Sequence, residues 1–147
     1  MAEAWPGLSG HFRGKAHVFP VRVYYEDTDA GGVVYHARYV AFCERARSEC
    51  LRLAGIHQSG MQDLYFVVRH MTCEFLRPAR LDDLLEIETR FHEMKGARLE
   101  IGQKVMLNGN TLFSASVTVA LVDGRGRPRR LPEELASRLR DFAESQS

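Results

Sequence analysis

The residues that could do chemistry are concentrated in one short segment, residues 23–39. It reads V-Y-Y-E-D-T-D-A-G-G-V-V-Y-H-A-R-Y and carries three acids, Glu26, Asp27 and Asp29, within four positions. Two carboxylates held close together in a half-buried loop raise the pKa of one of them, which suits a general base or a nucleophile. We therefore interpret this segment as a candidate site for acid–base or nucleophilic chemistry.

The residues after the acidic run add groups that could bind a reacting carbonyl. Gly31 and Gly32 let backbone N–H groups approach a ligand without obstruction by side chains. A helix predicted to begin near His36 would add unpaired N–H donors and a positive dipole end, which can polarise a carbonyl and hold an oxyanion. A carboxylate facing a helix start suits acyl transfer. Aspartate and glycine between a strand and a helix also serve as ordinary capping and turn residues.

Hydrophobic patterns define the elements that must position this segment. Residues 17–25 alternate in polarity and predict a strand before the acidic run. Residues 35–53 predict one long helix after it. The apolar stripe of this helix comprises Tyr39, Phe42, Cys43, Ala46, Cys50 and Leu53. Four alternating runs over residues 65–122 predict four meandering strands, and residues 132–142 a short terminal helix. One helix stripe and one sheet face can bury each other, so the pattern predicts an α+β fold with a mostly antiparallel sheet.

Length and composition describe one ordinary domain. The chain has 147 residues, with 20 Lys plus Arg, 19 Asp plus Glu and a formal net charge of +1, so it lacks the positive field on which nonspecific nucleic-acid binding depends. No apolar run reaches membrane-spanning length, and Met1–Gly7 lacks the features of a secretory signal. Three cysteines without C-x-x-C spacing favour buried thiols in a reducing cytoplasm. We predict a flexible arm over residues 1–16, a single domain over residues 17–147 and a cytoplasmic location.

Motifs for other reaction classes are absent from the sequence. It contains no G-x-S-x-G, no H-E-x-x-H, no P-loop and no strand-linked G-x-G-x-x-G, and the histidines outside the acidic segment share no metal-ligand spacing. We therefore expect neither a metal nor a cofactor. The basic run Arg125–Arg130 looks like a minor-groove hook, but in a near-neutral chain it is more typical of a solvated turn. Alternatively, several arginines near a site could hold ligand phosphates.

The acidic segment and its continuation resemble a known family. The runs Y-Y-E-D-T-D-A-G-G-V-V-Y-H-A-R-Y-V and F-C-E-R-A-R-S-E-C-L are similar to hotdog-fold acyl-CoA thioesterases of the 4-hydroxybenzoyl-CoA thioesterase type. They are most similar to the YbgC branch, whose genes lie with the Tol-Pal envelope system in bacteria. The similarity continues through F-V-V-R-H-M-T-C-E-F-L-R-P-A-R-L-D-D-L-L-E-I-E-T and covers most of residues 19–122.

The resemblance implies both a fold and an activity. The fold is a hotdog, a curved antiparallel five-stranded sheet wrapped around one long central helix. The activity is hydrolysis of acyl-CoA to a free acid and coenzyme A without a cofactor, with acyl carrier protein as another conceivable donor. Subunits of this family pair edge to edge, so a dimer or a dimer of dimers is expected, with the active site between two subunits.

The resemblance also assigns roles to single residues. Asp29 matches the catalytic carboxylate, which attacks the thioester carbonyl to give a mixed anhydride or activates water as a general base. His36 matches the position whose backbone N–H polarises that carbonyl, with its imidazole as a further aid, and Tyr25 matches a residue lining the pocket. The positions matched to substrate binding are Gly31, Gly32, Val34, Tyr35, Lys95 and Arg98. The last two, Lys95 and Arg98, stand where related enzymes hold the nucleotide phosphates of coenzyme A.

Other interpretations of the same residues remain open. Asp27 suits turn or inter-strand hydrogen bonds better than catalysis, and His36 could act only as a helix-cap residue. Glu44 suits a solvated face paired with Arg47, although some hotdog thioesterases use a carboxylate on this helix. Hotdog hydratases pair an acid and a histidine at shorter spacing than Asp29 and His36 show. The alternative from another class is a non-catalytic hotdog module that binds acyl-CoA or acyl carrier protein, but such modules tend to lose the acid.

Overall fold

Over residues 4–57 and 61–144, which the computed structural model describes, the chain forms six antiparallel strands and two α-helices. The strands are β1 (His11–Arg13), β2 (Ala16–Arg22), β3 (Tyr65–Phe75), β4 (Leu84–Lys95), β5 (Arg98–Leu107) and β6 (Asn110–Val122); the helices are α1 (His36–Leu53) and α2 (Glu133–Glu144). A short 3-10 turn, Tyr25–Asp27, lies between β2 and α1. The first three residues of the predicted arm and the last three of the predicted domain lie outside the described residues. Within the described part of the chain, no helix is long and apolar enough to span a membrane.

The sheet has six strands rather than the predicted five, in the order β1-β2-β4-β5-β6-β3. The additional strand is β1, which lies inside the segment predicted as a flexible arm and pairs antiparallel with β2. The turn before β1 brings Gly10 so close to β2 that a Cβ there would lie 2.2 Å from the carbonyl oxygen of Val18. Three residues are too few to show an alternating pattern, so the sequence does not predict β1. The strand is stabilised by its pairing with β2.

Strand β3 is the second departure from the predicted meander. Strands β4, β5 and β6 follow one another as hairpins, but β3 pairs with β6 and not with β4. The connection over residues 76–83 therefore runs from β3 at one edge of the sheet, past β6 and β5, to β4. On the way, Ala79 N donates to the hydroxyl of Tyr39 at 2.9 Å, which ties the connection to the first part of α1. The crossing leaves β3 at a free edge of the sheet in this chain.

Helix α1 packs its predicted apolar stripe against the sheet. It has 18 residues and is about 27 Å long, so the central helix is only moderately long. Its buried residues are Tyr39, Phe42, Cys43, Ala46, Arg47 and Cys50. Arg47 is the unexpected member. It follows Cys43 by four residues and precedes Cys50 by three, a spacing that places it on the same stripe.

The two cysteines of α1 behave as predicted. Burial raises the pKa of the Cys43 thiol to about 12 and that of the Cys50 thiol to about 12. Both thiols therefore remain protonated at physiological pH and pack as small apolar groups.

Helix α2 extends the core beyond the sheet. Leu139 is buried, and the ring of Phe142 stacks on Phe12 of β1 with 4.4 Å between ring centroids. The contact joins the three-residue edge strand to the terminal helix.

Candidate active site

The acidic segment forms a closed loop between β2 and α1. Asp29 N donates to Val33 O at 2.9 Å, and Gly32 N donates to Asp29 O at 3.0 Å. Gly32 has a φ of 79°, in the left-handed region that favours glycine. Val34, matched above to substrate binding, is buried and donates its N–H to Ala79 O at 2.8 Å. In this chain Val34 therefore anchors the loop to the core.

The side chain of Asp29 lies at the exposed tip of this loop. Its Oδ1 accepts a hydrogen bond from Gly31 N at 2.8 Å, and a Cβ at Gly31 would lie only 3.2 Å from the same oxygen. Glycine at this position therefore lets the carboxylate fold back onto the backbone. The other oxygen, Oδ2, has no hydrogen-bond partner among the residues that the structure describes, so it is open to a ligand.

Asp27 has a different environment, although it is only two residues away. Its side chain is 5% exposed, and its Oδ1 accepts from Arg38 Nε at 2.8 Å and lies 2.6 Å from Arg38 Nη2. Its Oδ2 accepts from Tyr24 N at 2.9 Å, and its carbonyl oxygen accepts from Tyr35 N at 2.9 Å. The contact with Tyr24 N is a turn hydrogen bond of the predicted kind, whereas the ion pair with Arg38 joins the loop to α1 and was not predicted. The carboxylates of the two aspartates use separate partners, and only that of Asp27 is buried.

Helix α1 begins at His36 without a side-chain cap. Tyr35 occupies the N-cap position and makes no side-chain hydrogen bond to the helix start. The His36 N–H consequently has no acceptor within residues 4–57 and 61–144, and the positive end of the helix dipole is open. The imidazole of His36 makes aromatic contacts, with 4.4 Å between ring centroids to Tyr35 and 6.2 Å to Phe75.

Exposed aromatic and apolar side chains stand in the loop that leads to this helix start and at the end of β3. They are Tyr24, Tyr25, Tyr35, Phe75 and Leu76. Phe75 was not predicted as a site residue, although it ends the alternating run of β3 immediately before the Arg77-Pro78 break. Tyr25, matched above to a pocket lining, is among the most exposed of these side chains. It would line a pocket only if a second surface covered it.

Lys95 and Arg98 lie at the other end of the sheet. They flank the turn between β4 and β5 and share a cavity of about 130 Å³ with Glu93 and Glu100. The loop lies beside the start of β4, through the Val23 N to Asp83 O hydrogen bond. The twelve residues of β4 extend over roughly 36 Å. One chain therefore does not bring this basic pair to Asp29.

Glu44 and Arg47 do not form the predicted ion pair. Glu44 is exposed, whereas Arg47 points inward, and within the described residues no carboxylate lies within ion-pair distance of its guanidinium. Its Nη1 donates instead to Gln103 Oε1 at 2.9 Å. Sequence reasoning did not identify Arg47 or Gln103 as buried polar residues. A signal was available for Gln103, which stands at an inward position of β5 between two buried residues, Ile101 and Val105.

The basic run after β6 is an exposed turn. Arg127 and Arg129 pair with Asp123 at 2.9 and 3.3 Å, and Asp123 also accepts from Arg125 N at 2.9 Å. These contacts favour the solvated-turn interpretation over a nucleic-acid hook.

Comparisons with known proteins place the chain in a family. Residues 31–114 match a family model described as the thioesterase superfamily. The chain is 51% identical to the acyl-CoA thioester hydrolase YbgC of Escherichia coli O157:H7 over 81% of this chain and 92% of that protein. A probable thioesterase from Bartonella henselae superposes with a TM-score of 0.77 at 46% identity, covering 80% of this chain and 99% of that chain. A thioesterase from Thermus thermophilus, crystallised with coenzyme A and Zn, has a TM-score of 0.79 at 26% identity, covering 90% and 98%.

Proposed function

Because the chain belongs to the thioesterase superfamily, we propose that it hydrolyses acyl-CoA thioesters to a free acid and coenzyme A at the loop between β2 and α1. The observation that carries this proposal is the open carboxylate of Asp29 in a loop that leads into an uncapped helix start at His36. The names of the relatives support the substrate class. The Escherichia coli relative is named an acyl-CoA thioester hydrolase, and the Thermus thermophilus thioesterase was solved with coenzyme A.

Asp29 supplies the group that opens the thioester. In one route its carboxylate attacks the carbonyl carbon, the C–S bond breaks, coenzyme A leaves as the thiolate, and water then cleaves the mixed anhydride. In the other route the carboxylate takes a proton from water, which attacks the same carbon and expels the same thiolate. Because Oδ1 is held by Gly31 N, Oδ2 is the reacting oxygen in both routes.

The start of α1 stabilises the charge that develops during either route. As the carbonyl carbon becomes tetrahedral, its oxygen gains negative charge, and the unpaired N–H of His36 is a preorganised donor for that oxyanion. The aromatic contacts of the imidazole with Tyr35 and Phe75 suit a wall of the substrate site. The backbone of His36 therefore carries the electrostatic role, and its side chain shapes the surroundings.

The complete site is formed by two subunits. The free edge strand β3 exposes Tyr65, Val67 and Val68, and an exposed apolar edge strand is a template for pairing with another chain. A second chain on this edge would cover the exposed aromatic side chains near the helix start. It would also give Lys95 and Arg98 a role, because a basic pair remote from its own Asp29 can serve the phosphates of coenzyme A bound to the partner.

Replacing Asp29 by asparagine tests this proposal. Asparagine keeps an Oδ1 that accepts from Gly31 N, so the loop is preserved while the nucleophile or base is lost. We expect kcat/KM for thiol release from a series of acyl-CoAs of graded length to fall by about 10²- to 10⁴-fold. The matched control is Glu26→Gln, which removes a charge from the same acidic run and should change kcat/KM by less than about threefold.

Two outcomes would contradict the proposal in different ways. If Asp29→Asn keeps the kcat/KM of the wild type, the catalytic carboxylate lies elsewhere. If the wild type binds acyl-CoA but releases no thiol from any chain length, the chain is a non-catalytic acyl-CoA-binding module.

A further inference from the structure

A cavity of about 470 Å³ lies along the second half of α1, beyond the candidate active site. It opens between α1, β3 and the inner face of the sheet. Much of its wall is apolar, with Leu51, Phe66, Val68, Leu99, Ile101 and Val119. The polar side chains that line it include Glu44, Arg47 and Ser48. Its size and its apolar wall with a few polar groups are typical of a small-molecule site.

Arg47 is the unusual group in this wall. The residue is 9% exposed, and its only hydrogen bond to a described residue joins Nη1 to Gln103 Oε1 at 2.9 Å. Gln103 cannot turn away, because its Nε2 donates to Cys43 O at 2.9 Å and to Thr89 Oγ1 at 3.0 Å. Its carbonyl oxygen is therefore aimed at the guanidinium and holds it in place.

The charge of Arg47 lacks a counter-ion in the described part of the chain. Burial lowers the pKa of its guanidinium, while Glu44 of α1, which acts on it electrostatically, is exposed and makes no ion pair with it. None of the remaining guanidinium nitrogens is both buried and unpaired, so the free N–H groups open onto the cavity. A desolvated cation with a fixed orientation and open donors is a site for an anionic partner.

The cavity is within reach of a substrate bound at the proposed reaction centre. β3 reaches both places, because Phe75 contacts the ring of His36 and Phe66 lines the cavity. Arg47 is eleven residues after His36, which corresponds to about 16 Å of helix rise, and its side chain leans back toward the helix start. The guanidinium is therefore roughly 10–16 Å from the thioester position. With C–C bonds of about 1.5 Å and an advance of about 1.25 Å per bond, an extended chain of about ten carbons spans this distance.

We propose that Arg47 binds a carboxylate at the far end of a medium-chain acyl group, so that the enzyme prefers ω-carboxyacyl thioesters to unsubstituted ones. This inference rests on the proposed thioester hydrolysis at Asp29. The planar guanidinium can donate two parallel hydrogen bonds to such a carboxylate. The exposed charge of Glu44 at the rim opposes the incoming anion, but water screens it far more than the buried charge of Arg47.

The test compares kcat/KM for decanedioyl-CoA, the monothioester, with kcat/KM for decanoyl-CoA. We expect the ratio of the first to the second to exceed about ten in the wild type and to fall at least tenfold in Arg47→Met, because the charge-assisted hydrogen bonds are lost. Glu44→Gln should raise the ratio. 10-Hydroxydecanoyl-CoA is the third substrate. Because its terminal oxygen is neutral, the ratio of its kcat/KM to that of decanoyl-CoA should be smaller than the ratio for decanedioyl-CoA.

A second pair of variants keeps the test valid if Arg47→Met does not fold. Ser48 is exposed and lines the same cavity as Arg47, so Ser48→Asp places a negative charge in the cavity that repels an incoming carboxylate and should lower the ratio by at least about fivefold. Ser48→Asn has the same size without the charge and should keep the ratio of the wild type.

The outcomes separate this inference from the proposed function. Equal ratios for Ser48→Asp and Ser48→Asn, a ratio that Arg47→Met leaves unchanged, or equal preference for the hydroxyl and the carboxylate would each overturn the inference alone. A wild type that hydrolyses neither thioester would overturn the proposed function and the inference with it.

Discussion

Replacing Asp27 by asparagine tests whether the buried ion pair at the loop holds the helix start in place. The carboxylate of Asp27 is 2.8 Å from Arg38 Nε and 2.6 Å from Arg38 Nη2, and it also accepts from Tyr24 N. Asparagine is nearly the same size but uncharged, and its amide group places a donor against one of these donors. The variant therefore leaves the guanidinium of Arg38 without its close counter-ion.

The expected loss of stability follows from the burial of the two partners. Removing one partner of a buried ion pair costs roughly 3–5 kcal/mol. The side chain of Asp27 is 5% exposed but that of Arg38 is 27% exposed, so water replaces part of the lost interaction. We therefore expect the free energy of unfolding to fall by about 2–3 kcal/mol. For a domain of this length the corresponding decrease in Tm is about 4–12 °C.

Urea and thermal unfolding of Asp27→Asn measure this loss directly. Both should be run at one protein concentration, because assembly changes apparent stability. The control is Glu26→Gln, since Glu26 is 3.9 Å from Arg38 with a side chain that is 70% exposed, and it should cost less than about 0.5 kcal/mol. Because Asp29 is retained, thiol release should survive with a kcat/KM reduced by no more than about tenfold. An unfolding free energy for Asp27→Asn equal to that of Glu26→Gln would refute the reasoning.

Two further predictions concern the turn after β6 and the assembly. Hydrogen bonds from the backbone and side chain of Arg127 lower the pKa of Asp123 from 3.8 to about 2. The contribution of Asp123 to stability is therefore complete above about pH 4 and is lost as the pH falls towards 2. Asp123→Asn should consequently flatten the decrease in Tm between about pH 4 and pH 2. A decrease as steep as in the wild type would contradict this prediction. In the second, Asp29→Asn and a Lys95→Ala/Arg98→Ala double variant, refolded together, should regain roughly a quarter of the wild-type activity, because a mixed dimer has one site with an intact Asp29 and an intact basic pair. Activity no higher than the mean of the two parents would exclude a shared site.

Much of the fold is predictable from local patterns. The apolar stripe of α1 repeats at helical spacing, and the alternating runs of β4, β5 and β6 follow one another as hairpins, so neighbours in sequence are neighbours in space. The pairing of β3 is not predictable in this way. Its own residues alternate as those of any strand do, and its pairing with β6 depends on the path of the connection over residues 76–83, which contacts Tyr39 of α1.

The candidate site, like the fold, has one part that is predictable from local sequence and one part that depends on packing. The types and order of the residues between β2 and α1 already place an acid, two glycines and a helix start in one loop, because a few covalently linked residues cannot separate far. Burial then distinguishes the two aspartates, since only the packing of α1 brings Arg38 to Asp27 and leaves Oδ2 of Asp29 open.

The sequence by itself determined the elements and the chemistry of the loop, because these depend on residues close together in the chain. The tertiary structure alone decided which charges are buried, as at Arg47, and which side chains stay apart, as Lys95 does from Asp29. Those outcomes depend on contacts between residues distant in sequence. One-dimensional patterns carry no distances of that kind, so burial and separation become visible only when the sheet and the helix are packed together.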